Sequence, residues 1–226
     1  MNPLWYATRA TGEVSLLLLT AVFALGALSA VRVGGQRVPR FVLTGLHRNL
    51  SLVALVFLGV HVLTSVVDPF AGIGVTDAVL PLGSAYRPLW VGFGAVAFDL
   101  LAALIVTSLL RERIGPRIWR ILHWAAYGCW AAALLHALGT GTDARTTLGM
   151  LLTGIAAAAG LLAIGWRLAT GPPQQVKTRQ VVAGFSLVTV LLVLGWALTG
   201  PLAPGWARRA GTPAKLLGNS TSVGAK

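Results

Sequence analysis

The chain carries four histidines, and every one falls inside an apolar stretch: His47 and His61 in one, His123 and His136 in another. A neutral imidazole is a ligand for iron, copper, nickel or zinc, and ionisable groups inside a bilayer are costly enough to mark functional sites. On helices, separations of 14 and 13 residues are rises of about 21 Å and about 19.5 Å. Each pair therefore nearly spans a hydrocarbon core. With both helices running in the same direction, His47 and His123 share one depth and His61 and His136 another. Two levels with two nitrogen ligands each are what two stacked bis-histidine haems require. A transition-metal transport site would gather its ligands within a few ångströms, usually with carboxylates. A haem-free transporter or membrane assembly subunit, using the histidines for metal or protons, stays open as the alternative. One detail resists straight-helix geometry: 14 steps of about 100° return within about 40° of the starting face, whereas 13 miss it by about 140°. The second helix must bend or unwind, and Gly128 is the candidate place. Nδ1–H bonds to the carbonyls of Leu43, Phe57, Trp119 and Ala132, one turn back, would leave Nε2 for iron.

The elements that hold these residues follow from composition. Of 226 residues, 56% are hydrophobic and 11% charged, and the mean hydropathy is +0.77. That excludes an ordinary soluble globule and a disordered chain. One cysteine excludes a disulfide framework, and the absence of C-x-x-C-H excludes covalent haem attachment. Six apolar stretches, about 14–31, 41–67, 89–110, 118–138, 147–168 and 180–199, are each near the length of a membrane-crossing helix. The expectation is an all-α integral membrane six-helix bundle over residues 1–200, followed by a flexible Gly/Pro/Ser/Thr-rich tail over 201–226. Trp90, Trp119 and Trp166 fall at span ends, where an aromatic belt would put them.

The balance of 18 Lys+Arg against 6 Asp+Glu would suggest nucleic acid in a soluble protein. Here it reports topology. The connections after the first, third and fifth stretches hold eleven cations, Arg48, Arg117 and Arg120 among them, against Arg9, Arg87 and Arg145 on the other side. Those loops are predicted to face the cytoplasm, with the N-terminus outside. The four cations of the tail disagree with this count.

Leu46-His47-Arg48-Asn49-Leu50 with Gly59-Val60-His61-Val62-Leu63, and Trp119-Arg120-Ile121-Leu122-His123 with Leu135-His136-Ala137-Leu138, resemble the haem helices of the ferric reductase-like transmembrane domain. The 14-and-13 spacing is that family's pattern, and the resemblance covers about residues 10–170. It implies a cell-membrane, multi-pass b-type cytochrome with two non-covalent haems. It also implies transmembrane electron transfer from a cytoplasmic or quinol donor to an extracytoplasmic acceptor. With no G-x-G-x-x-G motif and no strand-rich flavin domain after the sixth stretch, the expectation is that a separate flavoprotein reductase or the quinol pool supplies electrons. The chain would then be the haem-binding membrane subunit of an oxidoreductase. Candidate acceptors are a ferric chelate, an FMN- or molybdenum-bearing protein, or oxygen. The 68–88 loop, with Asp68, Asp77 and Arg87, would be part of the docking surface.

Arg48, Arg117 and Arg120 inside, and Arg87 and Arg145 outside, are candidates to pair with haem propionates through the guanidinium fork. Trp130, midway between His123 and His136, would either shorten the electron's path or simply pack. Asp99 is the carboxylate placed well inside a stretch, as a relay or a packed polar group. Cys129 reads as a small buried hydrophobe, and Gly149, Gly154 and Gly160 as sites of close helix packing.

Overall fold

The structure, a computed structural model, describes residues 3–30, 39–142, 146–170 and 176–217. Its long helices are α1 (Pro3–Ala30), α2 (Arg40–Val67), α3 (Pro88–Leu109), α6 (Ala125–Thr140), α7 (Thr147–Ala169) and α8 (Val176–Thr199). Short helices α4 (Arg111–Ile114) and α5 (Pro116–Leu122) join α3 to α6, and α9 (Trp206–Arg209) and α10 (Ala214–Leu217) follow α8. Among the described residues, five segments are long and apolar enough to cross a membrane: Pro3–Ser29, Phe41–Val67, Pro88–Leu109, Pro116–Thr140 and Thr147–Ala169. The chain is thus a multi-pass, all-helical membrane protein. In the sixth predicted stretch, the apolar helical run among the described residues is shorter, Val190–Thr199.

α1 begins eleven residues before the predicted start at 14. Thr8, Arg9 and Glu13 lower the hydropathy of its first turns, yet these residues face into the bundle, where Thr8, Ser15 and Thr20 are buried. The hydroxyls of Ser15 and Thr20 donate to the Thr11 and Leu16 carbonyls one turn back, at 2.7 Å each. That satisfies both hydroxyl protons within α1 and leaves the Thr20 oxygen free to accept from another helix.

α2 lies along α1, α6 along α3, and α7 along α1 on the side away from α2. The face of α2 carrying Leu52, Val56 and Leu63 is exposed, as befits a surface meant for lipid. The central core brings Leu16 and Phe23 of α1 against Trp130 and Leu134 of α6 and Ala156 of α7. The indole N–H of Trp130 donates to Thr20 Oγ1 at 3.0 Å, and its ring stacks on Phe23 with centroids 5.1 Å apart. A Cβ at Gly160 would collide with the same indole, so this glycine lets α7 approach α6. Gly154 has nothing within 4 Å and so does not act as the predicted packing glycine; Gly149 is buried, and its N–H donates to Thr146 Oγ1 as a helix cap.

The segment after α8 is folded, not a flexible tail, through residue 217; residues 218–226 lie outside the described residues. Trp206 packs against the stacked rings of Trp90 and Trp196, and Leu216 joins the cluster of Trp5, Tyr86 and Val91. The end of the bundle where α1 starts, called upper below, is therefore also where 200–217 sits. Arg209 donates to the Thr199, Gly200 and Pro204 carbonyls. A cation there satisfies the open carbonyls of α8 and complements its dipole. At least that one tail charge serves a helix end rather than topology.

Candidate functional site

The structure brings the four histidines together in the two predicted pairs. The ring centroids of His47 and His123 are 6.4 Å apart, and those of His61 and His136, nearer the upper end, 6.2 Å. With metal–imidazole bonds of about 2.0–2.1 Å, and roughly 1.1 Å from a nitrogen to its ring centre, two imidazoles in line across one metal have centres about 6.3 Å apart. Both observed separations fit that distance. α2 and α6 do not pack on one another as neighbours do; each is held by its own partner helix, and their histidine rings meet across the gap.

The second nitrogen of three rings is fixed from outside its own helix. Nδ1 of His61 lies 2.8 Å from the Thr8 carbonyl, that of His47 3.1 Å from the Val22 carbonyl, and that of His136 2.8 Å from the Trp90 carbonyl. A carbonyl only accepts, so in each ring Nδ1 carries the proton and donates, and Nε2 keeps its lone pair for a metal. The predicted acceptors one turn back, Leu43, Phe57 and Ala132, are not used, because the partner helices approach closely enough to replace them. His123 differs. Its Nδ1 is buried without a hydrogen-bond partner among the described residues, and its ring stacks on Trp119 at 4.9 Å.

Glycines make room for these rings. A Cβ at Gly12 would lie 2.8 Å from His61 Cε1, one at Gly26 3.4 Å from His47 Cε1, and one at Gly94 2.5 Å from His136 Nδ1. Gly12 and Gly26 are 14 residues apart on α1, the spacing of the histidines they face on antiparallel α2. That repeat was a signal in the sequence, and the histidine-centred reading missed it.

The awkward spacing of 13 is resolved at His123 itself. α5 ends at Leu122 and α6 begins at Ala125; Gly128, the expected irregularity, lies inside α6. The Trp124 N–H donates to the Ile121 carbonyl, Ala126 to His123 and Tyr127 to Trp124, all spanning three residues instead of four. A residue in such a turn advances about 120° and 2.0 Å instead of about 100° and 1.5 Å, so about four of them recover roughly 80° and add about 2 Å. The remaining mismatch of roughly 60° and rise of about 21.5 Å then match α2, with roughly 40° and about 21 Å.

A cavity of about 220 Å³ lies between α1, α2, α3 and α6 at the upper level. His61 and His136 line it with apolar residues such as Leu58, Phe98 and Leu101, and Cys129 is buried beside it. Arg9, Glu13, Asp77 and Tyr86 are among its polar lining; Asp77 was expected on a docking surface, and the other three were not expected at a site. Burial pushes the Tyr86 phenol above its ordinary value, with Arg87 and Arg9 pulling the other way. Glu13 lies inside the first span, so Asp99, half-buried on α3 and not lining the cavity, is not the sole intramembrane carboxylate.

Other candidates are placed differently. Arg48, Arg117 and Arg120 are exposed at the lower end, on the side of the His47–His123 pair. Arg87 is buried and donates to Thr212 Oγ1 and the Gly139 carbonyl, so its guanidinium is engaged in the fold rather than turned to the cavity. Arg145 lies outside the described residues. Trp130 sits at mid-depth on the α1–α7 side and does not line the cavity. Asp68 accepts from the Phe70 N–H and Asp77 from the Gly74 N–H, so the charges of the 68–88 loop are turned inward; Val75, Leu80 and Leu82 are its exposed residues. Of the three span-end tryptophans, Trp90 and Trp119 are half-buried against Trp196 and His123, and Trp166 is exposed.

Among the described residues no group of three or more histidine, cysteine or acidic side chains converges on one point, so the metal-ligating chemistry is two nitrogens per level. No curated protein and no solved structure matches the chain. A family does: the ferric reductase like transmembrane component, over residues 11–135. That stretch takes in α1, α2, α3 and α6 up to the residue before His136, and on it the chain belongs to the ferric reductase-like transmembrane component family.

Proposed function

We propose that this protein is a di-haem b-type cytochrome that moves electrons across the membrane. The observation that carries the reading is the pair of imidazole–imidazole separations, 6.4 Å and 6.2 Å, on two helices otherwise kept apart. When bound, haem would supply one-electron iron chemistry, its potential set by axial ligands and surroundings. His47 and His123 would hold one group and His61 and His136 the other, each through Nε2. The carbonyls of Val22, Thr8 and Trp90 orient three of these rings. Arg9, at the cavity, is a better candidate for a propionate than the buried Arg87. With two imidazoles held at each level, His47 with His123 and His61 with His136 would keep substrate from the metal, and the chain would work as a conductor between partners.

In this reading α8 is the sixth crossing. Its 24 residues are about 36 Å of helix, and the segment after it lies at the end where α1 starts, which an even number of crossings requires. The upper end is then extracytoplasmic and the lower end, with Arg48, Arg117 and Arg120, cytoplasmic. Electrons would arrive below from a flavoprotein reductase or quinol and leave above to a ferric chelate, an FMN- or molybdenum-bearing protein, or oxygen.

Protein purified from haem-replete cells should be red, with a low-spin haem b spectrum and about two haems per chain by pyridine haemochrome. His123→Ala should leave one. A colourless, well-folded preparation overturns the reading.

A further inference from the structure

Two N–H donors from distant parts of the chain converge on one carbonyl three residues after His136. Arg87 Nη1 and Trp206 Nε1 each lie 3.0 Å from the Gly139 oxygen, and both bonds are buried. Gly139 ends the last turn that carries His136, whose own carbonyl accepts from Thr140 Oγ1 at 2.6 Å. The donors are themselves tied to the C-terminal segment. Arg87 Nε donates to Thr212 Oγ1 at 2.9 Å, and the Arg87 N–H to the Gly211 carbonyl at 3.1 Å. Arg87 adopts φ +45°, a left-handed backbone that a residue other than glycine holds only when its surroundings fix it. Trp206 also packs on Trp90, 5.2 Å between centroids, and the Trp90 carbonyl accepts the His136 Nδ1–H. Gly139, in the last turn of the helix that carries His136, and Trp90, whose carbonyl accepts the His136 Nδ1–H, thus both rest on the same segment. A Cβ at Gly139 would run into Trp90, so the two are already in close contact. Among the described residues, His61, His47 and His123 have no hydrogen-bond partner whose carbonyl or helix end is bonded to residues after α8.

We propose that Arg87 and Trp206 are positioning residues for His136, and that residues 206–212 belong to the upper site rather than to a tail. This rests on the di-haem reading. Ligand-orienting partners of this kind change metal affinity about 10- to 100-fold when removed, and the effect here falls on one of the two sites.

The test uses the full chain loaded with haem, and follows transfer of haem to an excess of apomyoglobin. Trp206→Phe keeps the ring and deletes the N–H; it should raise the release rate of one haem about tenfold and leave the other unchanged. Thr212→Val, which frees Arg87 Nε, should act in the same direction and less strongly. Trp196→Phe, in the same aromatic cluster but without a bond to Gly139, should change neither. Equal release of both haems, or unchanged release in both Trp206→Phe and Thr212→Val, overturns the proposal. If the chain holds no haem, the proposed function fails instead. The positioning claim is then read in cofactor-free protein, as the rate of carbethoxylation of His136 relative to His47 by diethyl pyrocarbonate. Trp206→Phe should raise that ratio, and an unchanged ratio rejects the claim.

Discussion

His61 and His136 press their rings against glycine backbone, and that makes single methyl groups informative. Gly12→Ala and Gly94→Ala place a Cβ 2.8 Å and 2.5 Å from the rings; Gly26→Ala, at 3.4 Å from His47, is milder; Gly59, also on α2, has nothing within 4 Å. Overpacking of this kind costs about 1–3 kcal/mol. We expect the first two variants to lower haem occupancy by up to half, Gly26→Ala to do less, and Gly59→Ala to match the parent, as measured by haem per chain after purification. At this scale the sequence exposed the paired histidines but not what holds them. Histidine in an apolar run is conspicuous, whereas the acceptors at Thr8, Val22 and Trp90 are main-chain atoms of other helices and leave no mark in residue type. Arg87 shows the converse. Its scarcity on the upper side suggested a ligand-facing cation, but a folded C-terminal segment engages it first.

Helix α6 and its joint at His123 carry the second lesson. The mismatch of 13 residues was legible as a need for irregularity, but its place was not. Glycine looks like the weak point of a helix, yet the tightened turns start at Ile121 and end at Tyr127, before Gly128. Inserting one alanine after Ala131 would restore 14 residues on paper. Because the spacing is already corrected, the insertion should instead turn His136 by about 100° and leave one haem per chain. A second element-level test concerns the core contact between α1 and α6. Thr20→Val leaves the Trp130 N–H buried without its acceptor, so it should cost about 1–3 kcal/mol and lower the midpoint of thermal unfolding in detergent. Helix extents were read well where hydropathy decides, as for α2 and α7. They were read poorly for α1, where Thr8, Arg9 and Glu13 are polar because they face a cavity rather than water.

For the molecule as a whole, the sidedness of its ends is the measurable consequence of the fold. Cysteines introduced at Val75 and at Arg208 should react with a membrane-impermeant maleimide from the same side of intact vesicles, and one at Arg113 from the other. The native Cys129 is buried and donates to the Ala97 carbonyl, so it should stay silent. Labelling of Arg208→Cys together with Arg113→Cys would mean that α8 does not cross. Charge counting alone gave conflicting signs here, since it treats every cation as a topological marker and cannot see that Arg209 closes a helix end.

The two histidine levels also differ mechanically. His136 stands within a continuous helix, fastened above by two donors. His123 stands at a joint, and the seven residues of α5 below it form a rod about 10 Å long. Arg117 and Arg120 project from that rod into the open at the lower end. A push on α5 would therefore be delivered, as by a lever, to the ring at its tip. The same push on the upper level meets a braced beam.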